Sequence, residues 1–431
     1  MTASRSVGDE LWELASRLYP ICRSITGDGV RQTLQILSEF VPLERHEVPS
    51  GTQVLDWVVP PEWNIRQAYI ADSQGNRIVD FADHTLHVVS YSTPVHRRMT
   101  LAELKPHLHS LPDQPDLIPY RTAYYTPAWG FCLQHERLQS MTEDTYEVVI
   151  DSTLEPGNLT YGEAVIPGET SEEVLLSAHA CHPSLSNDNC SGLAVLACLG
   201  RLIAQSPRRY TYRLLFAPGT IGAITWLARN RDATSRIRHG LVLSNLGDAG
   251  APLYKRSRRG NADIDRAAAI VLGVKDNTPH ASLVDFSPYG YDERQYCSPG
   301  FNLPVGAFQR SRWGQFPEYH TSADNMDLIR PEHLAHSATL LARMLDVLEL
   351  DQTPVSTMPF GEPQLGRRAV YDDENGNPLP ENIRMAMLWV LNLADGNHSL
   401  IDMAERSGLA FSALEKARRR LESVGLLRSA G

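Results

Sequence analysis

Residues Ser177–Gly192 read SAHACHPSLSNDNCSG. The run leading into them, VLLSA (Val174–Ala178), is apolar without alternation, the pattern of a strand covered on both faces of a parallel sheet. Ser191-Gly192 then opens LAVLACLGRLI, an apolar stretch of helical length. A buried strand that passes through a loop into a helix is the repeating unit of an α/β fold. In such folds chemistry gathers on loops at the carboxyl ends of strands. This loop is dense with it, since His179, Cys181, His182 and Asp188 all fall inside.

The same rhythm extends along much of the chain. Strands are expected at Tyr146–Asp151, Tyr161–Ile166, Glu173–Ala178, Thr211–Ala217, Gly240–Leu246, Ser282–Phe286 and Leu303–Ala307. Helices are expected at Ser191–Gln205, Ile221–Asn230, Asn261–Leu272 and Pro331–Leu350. Residues 9–42 give two more helices around a loop at Ser24–Gly29. Between Glu44 and Gly130 the texture changes to prolines, aromatics and short alternating stretches such as QAYIAD and NRIVDF, which suits a β-rich insertion. After Asp351 comes a proline-rich linker, then helices at Asn382–Ala394, Leu400–Ser407 and Ser412–Ser423 and a terminal Gly425-Leu426-Leu427. That ending resembles a winged helix. The expected architecture is a mixed, mainly parallel α/β sheet with helices on both faces (1–44 and 131–355), a β-rich inserted domain (45–130) and a winged-helix domain (365–431).

Composition narrows the function classes. The chain has 431 residues, 42% apolar and 21% charged, which excludes a disordered or coiled-coil protein. No apolar run approaches the roughly 20 residues that span a bilayer. The opening MTASRSVGDELWELASRLYP lacks a signal-peptide layout. Six cysteines show no CxxC pair, so reduced thiols in a cytoplasm are expected. A net charge of −11 argues against broad polyanion binding, though it leaves room for one locally basic domain. Residues 381–431 hold seven basic groups against six acids, too even a balance for a DNA-binding face. An interaction or dimerisation role suits that end better, and a homo-oligomer is compatible with it.

Three segments carry the chemistry: SAHACHPSLSNDNCSG, then SNLGD ending at Asp248, then PEYHTSADNMD around His320. A hydrolytic zinc site needs imidazole and carboxylate ligands from separate loops and one position left for water. Taken singly, a loop histidine is more often a turn residue, Asp188 a helix cap, and Asp248 the end of a strand. Taken together at strand ends of one sheet, they point to a metal site.

These three blocks resemble, in order and context, those of the zinc-dependent exopeptidases of the bacterial aminopeptidase type. The resemblance implies that His179 binds metal, Asp188 bridges, Asp248 binds the partner ion and His320 the ion opposite. It also implies a cis peptide after Asp188. A longer resemblance, through LYPICRSITGDGVRQTL, VPSGTQVLDWVVPPEWNI and DERQYCSPGFNLPVG, is to a bacterial family of aminopeptidase-like proteins often labelled polysaccharide or secondary-metabolite biosynthesis proteins. It implies a zinc-exopeptidase-like fold with an inserted domain and a winged helix.

The departures shape the functional expectation. Exopeptidases of this type carry two adjacent glutamates after the next strand, one of them the general base. Here that place reads Pro218-Gly219-Thr220. Losing the base removes proton transfer worth roughly 10²–10⁴-fold in rate. The aspartate that orients the first histidine is replaced by Cys181, which leaves room for Cys181 or His182 as an unusual ligand. Glu293 is the expected substitute base or amine anchor, its alternative being an ion pair with an arginine, and Glu318 is a weaker candidate. Arg294 and Tyr319 are expected to touch substrate. The reading is a hydrolase holding one or two zinc ions and cleaving an amide bond of a small peptide-like or amino-acid-derived substrate. Its alternative is a metal- or ligand-binding protein without turnover, carrying an interaction or DNA-binding winged helix.

Overall fold

The computed structural model describes residues 6–142, 145–273, 281–372 and 375–429. Contacts divide the chain into residues 1–260 with 283–339 and residues 261–282 with 340–431.

In the first unit, α1 (Val7–Leu18) starts where the Ser6 hydroxyl accepts the Asp9 N–H, and it buries Leu11, Leu14, Ala15 and Leu18 on one face. Then follow α2 (Asp28–Leu37), β1 (Glu44–Pro49), β2 (Glu62–Ala71), β3 (Arg77–Asp80), β4 (Val95–Thr100) and β5 (Thr145–Glu155). The chain continues through β6 (Asn158–Ile166), β7 (Glu173–His179), α3 (Gly192–Ile203), β8 (Thr211–Ala217) and α4 (Ile221–Arg229). The last strands are β9 (Ile237–Leu243), β10 (Leu253–Lys255), β11 (Ser282–Val284) and β12 (Val305–Gln309).

Eight strands form the main sheet in the order β1-β6-β8-β7-β9-β12-β10-β11. Its centre, β8-β7-β9-β12, is parallel; β6 and β10 run antiparallel to its two outer strands, and β1 pairs antiparallel with β6. Every residue of β7 is buried, as its unbroken apolar run implies. The register sets His179 opposite Ala217 and Leu243 opposite Phe308. The carboxyl ends of β7, β8, β9 and β12 therefore share one edge, and the loops after them converge.

A second, antiparallel sheet has the order β3-β2-β5-β4 and a core of Ala68, Ile70, Val148, Ile150 and Phe131. Here the structure departs from the sequence reading. Tyr146–Asp151, expected among the α/β strands, lies in β5 at the middle of this small sheet, with Tyr69 opposite Val149. Its Tyr146, Val148 and Ile150 belong to the core of that sheet, while of the intervening residues Glu147 and Asp151 are polar and Val149 is not, so the alternation of a one-sided antiparallel strand is incomplete here. Conversely β1, read as part of the insertion, is the edge strand of the main sheet, with Val48 opposite Leu159. A single short strand does not reveal its partner.

In the second unit, helices Glu381–Leu393, Leu400–Ser407 and Phe411–Ser423 combine with an antiparallel pair, Pro354–Ser356 and Leu427–Ser429, as a winged helix. Ser399 and Asp402 form a reciprocal capping box, and Gly408 (φ 69°) ends that helix in the left-handed region. The basic run on Phe411–Ser423 is internally committed. Arg418 pairs with Glu422 at 2.6 Å, Arg419 with Glu415, and Arg420 donates to the Ala369 and Asp372 carbonyls. No described helix is long and apolar enough to cross a membrane.

Candidate metal centre

His179 is the last residue of β7 and its side chain is fully buried. The chain then loops through Cys181, His182 and Asp188 before α3 begins at Gly192, and Ser186–Ser191 is buried throughout. Asp188 caps nothing. Its Oδ1 lies 2.7 Å from His179 Nε2, and its Oδ2 lies 3.2 Å from His320 Nε2 and 3.9 Å from His182 Nε2. The ligand atoms of His179, His182 and Asp188 all fall within 4.8 Å of one another. The Asp188–Asn189 peptide is cis, as the resemblance implied, and so is Gly219–Thr220.

The loop is held from the His320 side. Asp324 accepts the backbone N–H groups of Asn187 and Asp188 and the Ser186 hydroxyl. His320 has a positive φ of 56°, its carbonyl accepts the Tyr120 N–H at 2.7 Å, and its ring stacks on Tyr319 at 3.9 Å. Tyr120 stands edge-on to that ring at 5.0 Å.

Burial opposes charge on Asp188, but three surrounding imidazoles hold its carboxyl well below the usual range. Burial holds His182 well below its ordinary value, so it is a neutral imidazole. Burial likewise pushes the Cys181 thiol up to about 12 and the Tyr291 phenol well above 10. A carboxylate among imidazoles is a donor set suited to a borderline ion such as zinc.

Around this group, Cys181 Sγ lies 3.3 Å from His182 Nδ1 and 3.2 Å from Tyr291 Oη. The Tyr291 ring lies tilted against His179, with centroids 4.0 Å apart. A Cβ on Gly219 would lie 2.1 Å from Tyr291 Cε1. The ring therefore fills the space where a side chain at residue 219 would stand.

Several expectations need correction or placing. Asp248 does not join the ligand group. Its carboxylate is taken by Asn187 Nδ2 and Ser311 Oγ at 2.7 Å and by the Gly250 N–H at 2.6 Å. It lies beyond the end of β9, after a turn at Asn245 (φ 53°), and braces the loops instead. Glu293 is not a free base or amine anchor: it is fully buried and paired with Lys255 at 2.8 Å, and it accepts the Tyr291 N–H. The partner is a lysine from β10 rather than an arginine. Cys181 stays outside the ligand group, whereas His182 is in it. Arg294 is exposed on the turn Glu293–Tyr296, Tyr319 stacks on His320, and Glu318 is half-buried.

Sequence reasoning passed over Asp324 and Asp292. Asp324 carries a signal, four residues after His320 in the YHTSAD block. Asp292 is buried with neither carboxylate oxygen partnered, and burial pushes its carboxyl well above the usual range. Tyr120, 200 residues from His320, carries no local signal.

A family model described as a domain of unknown function (DUF4910) matches residues 12–351, and a winged helix-turn-helix model matches residues 352–429. A Clostridium acetobutylicum protein described as a candidate polysaccharide biosynthesis protein with an aminopeptidase-like domain is 47% identical over 425 residues, which is 99% of this chain and 97% of that protein. A crystal structure of a candidate peptidase from the same species superposes with a TM-score of 0.92 at 46% identity, covering 98% of this chain and 96% of that one. A zinc aminopeptidase from Bacillus subtilis superposes with a TM-score of 0.57 at 14% identity, covering 79% of this chain and 95% of that one. At that identity the likeness is one of fold.

Proposed function

The chain belongs to the family described as a domain of unknown function (DUF4910), and from that membership and the geometry above we propose that it is a metal-dependent hydrolase. On this reading it holds zinc and cleaves an amide or peptide bond of a small amine-bearing substrate in a cytoplasmic biosynthetic pathway. The observation that carries the reading is the buried Asp188 carboxylate set among His179, His182 and His320. The zinc aminopeptidase neighbour supports the choice of ion, and the relative's description supports the biosynthetic setting. A divalent ion of this kind ionises a coordinated water near neutral pH and polarises a carbonyl oxygen. With Asp248 and the glutamate positions engaged elsewhere or absent, one ion fits the group better than two. Tyr319 and Tyr120 wall the approach to His320, and the exposed Arg294 would meet a substrate carboxylate.

A second reading, a binding protein without turnover, is favoured by one observation. Glu293, the substitute base expected from sequence, is occupied by Lys255.

Elemental analysis and a hydrolysis panel separate the two. Protein purified without added metal is expected to carry at least half an equivalent of zinc, lost in Asp188→Ala. A panel of aminoacyl and γ-glutamyl amides is expected to show turnover that chelator abolishes. Bound metal with silence across the panel leaves the second reading standing, and a metal-free parent overturns the metal-dependent hydrolase.

A further inference from the structure

Four arginines are buried among the described residues: Arg23, Arg213, Arg310 and Arg418. Three of them are committed. Arg213 grips both oxygens of Glu173 with the Nε/Nη2 edge of its guanidinium, at 2.6 and 3.0 Å, and gives Nη1 to Glu163 at 2.7 Å. Arg418 meets Glu422 at 2.6 Å and Glu415 at 3.6 Å. Arg23 donates to the His182 carbonyl at 2.9 Å, the Leu18 carbonyl at 2.6 Å and Cys190 Sγ at 3.0 Å.

Arg310 is the exception. It directly follows β12, where its backbone N–H reaches the Asn245 carbonyl at 2.9 Å. Its side chain runs to the helix Pro331–Leu350, and there Nη1 makes two long contacts, 3.3 Å to His336 Nδ1 and 3.4 Å to Ser337 Oγ. Nε is buried without a partner, and Nη2 makes no hydrogen bond among the described residues. No described carboxylate pairs with the group. Burial opposes its charge and Asp248 favours it at longer range, but the Asp248 oxygens are taken by Asn187, Ser311 and Gly250. A guanidinium keeps its proton in a protein, so a cation only 7% exposed stands with one whole edge empty. That edge is the fork that fits two oxygens of a carboxylate or a phosphate. This chain uses it so elsewhere: Arg66 holds both oxygens of Asp151 through Nε and Nη2 at 2.9 and 2.6 Å.

We propose that Arg310 anchors an oxyanion site, taking a carboxylate or phosphate group on its Nε/Nη2 edge while His336 and Ser337 hold Nη1. His336 is exposed, so the site lies at the surface. The inference does not rest on the metal group, although the two are joined. Ser311, the next residue, donates to Asp248, and Asp248 accepts from Asn187 beside Asp188.

Proton–nitrogen NMR of the full chain with labelled arginine reads the Nε–H groups, with chelator present so that no metal contributes. Inorganic phosphate, acetate and chloride are the probes, and Arg310→Lys gives the assignment. The Arg310 Nε–H is expected to shift and saturate with phosphate or acetate and not with chloride. Saturation by acetate as well as phosphate marks a carboxylate site, and saturation by phosphate alone a site for a dianion. Affinity from calorimetry is expected to fall about tenfold or more in Arg310→Lys, which keeps the charge and loses the fork. Arg312→Gln, which removes an exposed charge two residues away, is expected to bind like the parent. Should Arg310→Lys fail to fold, selenate diffused into crystals of the parent serves instead, with an anomalous peak expected within hydrogen-bond distance of Nε and Nη2. A linear shift that chloride reproduces, an affinity unchanged in Arg310→Lys, or selenate found only elsewhere overturns the site. Either result leaves the proposed metal group where it stood, and a metal-free parent leaves this site standing.

Discussion

Asp324 holds Asp188 through the backbone: its Oδ2 accepts the Asp188 N–H at 3.0 Å, while Oδ1 accepts the Asn187 N–H at 2.6 Å and the Ser186 hydroxyl at 2.9 Å. Both side chains are buried. Asp324→Ala leaves two buried N–H groups without a partner, at about 1–3 kcal/mol each. The unfolding free energy from urea titration is expected to fall by about 2–5 kcal/mol. A change below about 1 kcal/mol, within the range of surface substitutions, contradicts this account.

The Lys255–Glu293 pair gives a contrast between a base and a brace. If Glu293 were a catalytic base, Glu293→Gln would be a stable, inactive protein. Because it is fully buried against Lys255, removing its charge strands an ammonium in the core, at about 3–5 kcal/mol. Glu293→Gln is expected to melt well below the parent, and the double variant Lys255→Met/Glu293→Leu to recover most of the loss. Equal melting temperatures for parent and Glu293→Gln would count against the brace.

Acid sensitivity has a source far from the metal group. Burial holds His239, on β9, down to about 3. Its folded value lies below the ordinary 6.5, so the unfolded chain binds a proton that the folded chain refuses. The stability is fully present above pH 6.5 and is lost as pH falls toward 3. Between pH 7 and pH 5 the parent is expected to lose about 2 kcal/mol from this residue, and His239→Gln to lose that part of the slope. Parallel urea titrations at the two pH values decide the matter.

Gly219→Ala tests the packing of the phenol. The new methyl group meets the Tyr291 ring edge at 2.1 Å, so ring or backbone must move. Overpacking of this kind costs about 1–3 kcal/mol. A lower melting temperature is expected, partly restored by adding Tyr291→Ala. An unshifted transition in the single variant would show that the ring yields freely.

The winged helix is expected to bind no random duplex in fluorescence anisotropy at low salt, where non-specific binders show themselves. The guanidinium groups of Arg418, Arg419 and Arg420 already face carboxylates or carbonyls of their own unit. Salt-sensitive binding lost in Lys416→Ala/Arg419→Ala would reverse that expectation.

Much of the fold was legible because its strongest elements are locally marked. The buried run into His179, the capped helix at Leu400 and the unbroken helix Pro331–Leu350 declare themselves by composition and period. What stayed hidden depends on pairing across long separations. Neither the place of Tyr146–Asp151 in the small sheet nor the attachment of β1 to the main one follows from either segment alone. At the centre, the spacing of His179, His182 and Asp188 was readable, and His320 lay in a distinctive block. Asp248 misled because a carboxylate near a strand end looks alike whether it faces an ion or an asparagine. Glu293 misled because its lysine lies 38 residues away on another strand.

Beside the centre, residues 118–120 and 320–322 lie as a short ladder. The Tyr120 N–H meets the His320 carbonyl at 2.7 Å, the Ser322 N–H meets the Ile118 carbonyl at 2.9 Å, and the Ser322 hydroxyl accepts the Ile118 N–H at 3.0 Å. The left-handed backbone of His320 is thus clasped by a segment that arrives from the β-rich part of the chain. A shortened protein that keeps only the large sheet would lose this clasp along with its extra strands. The segment that looks like an accessory is part of the wall that aims an imidazole, and trimming it away cannot yield a minimal version of the site.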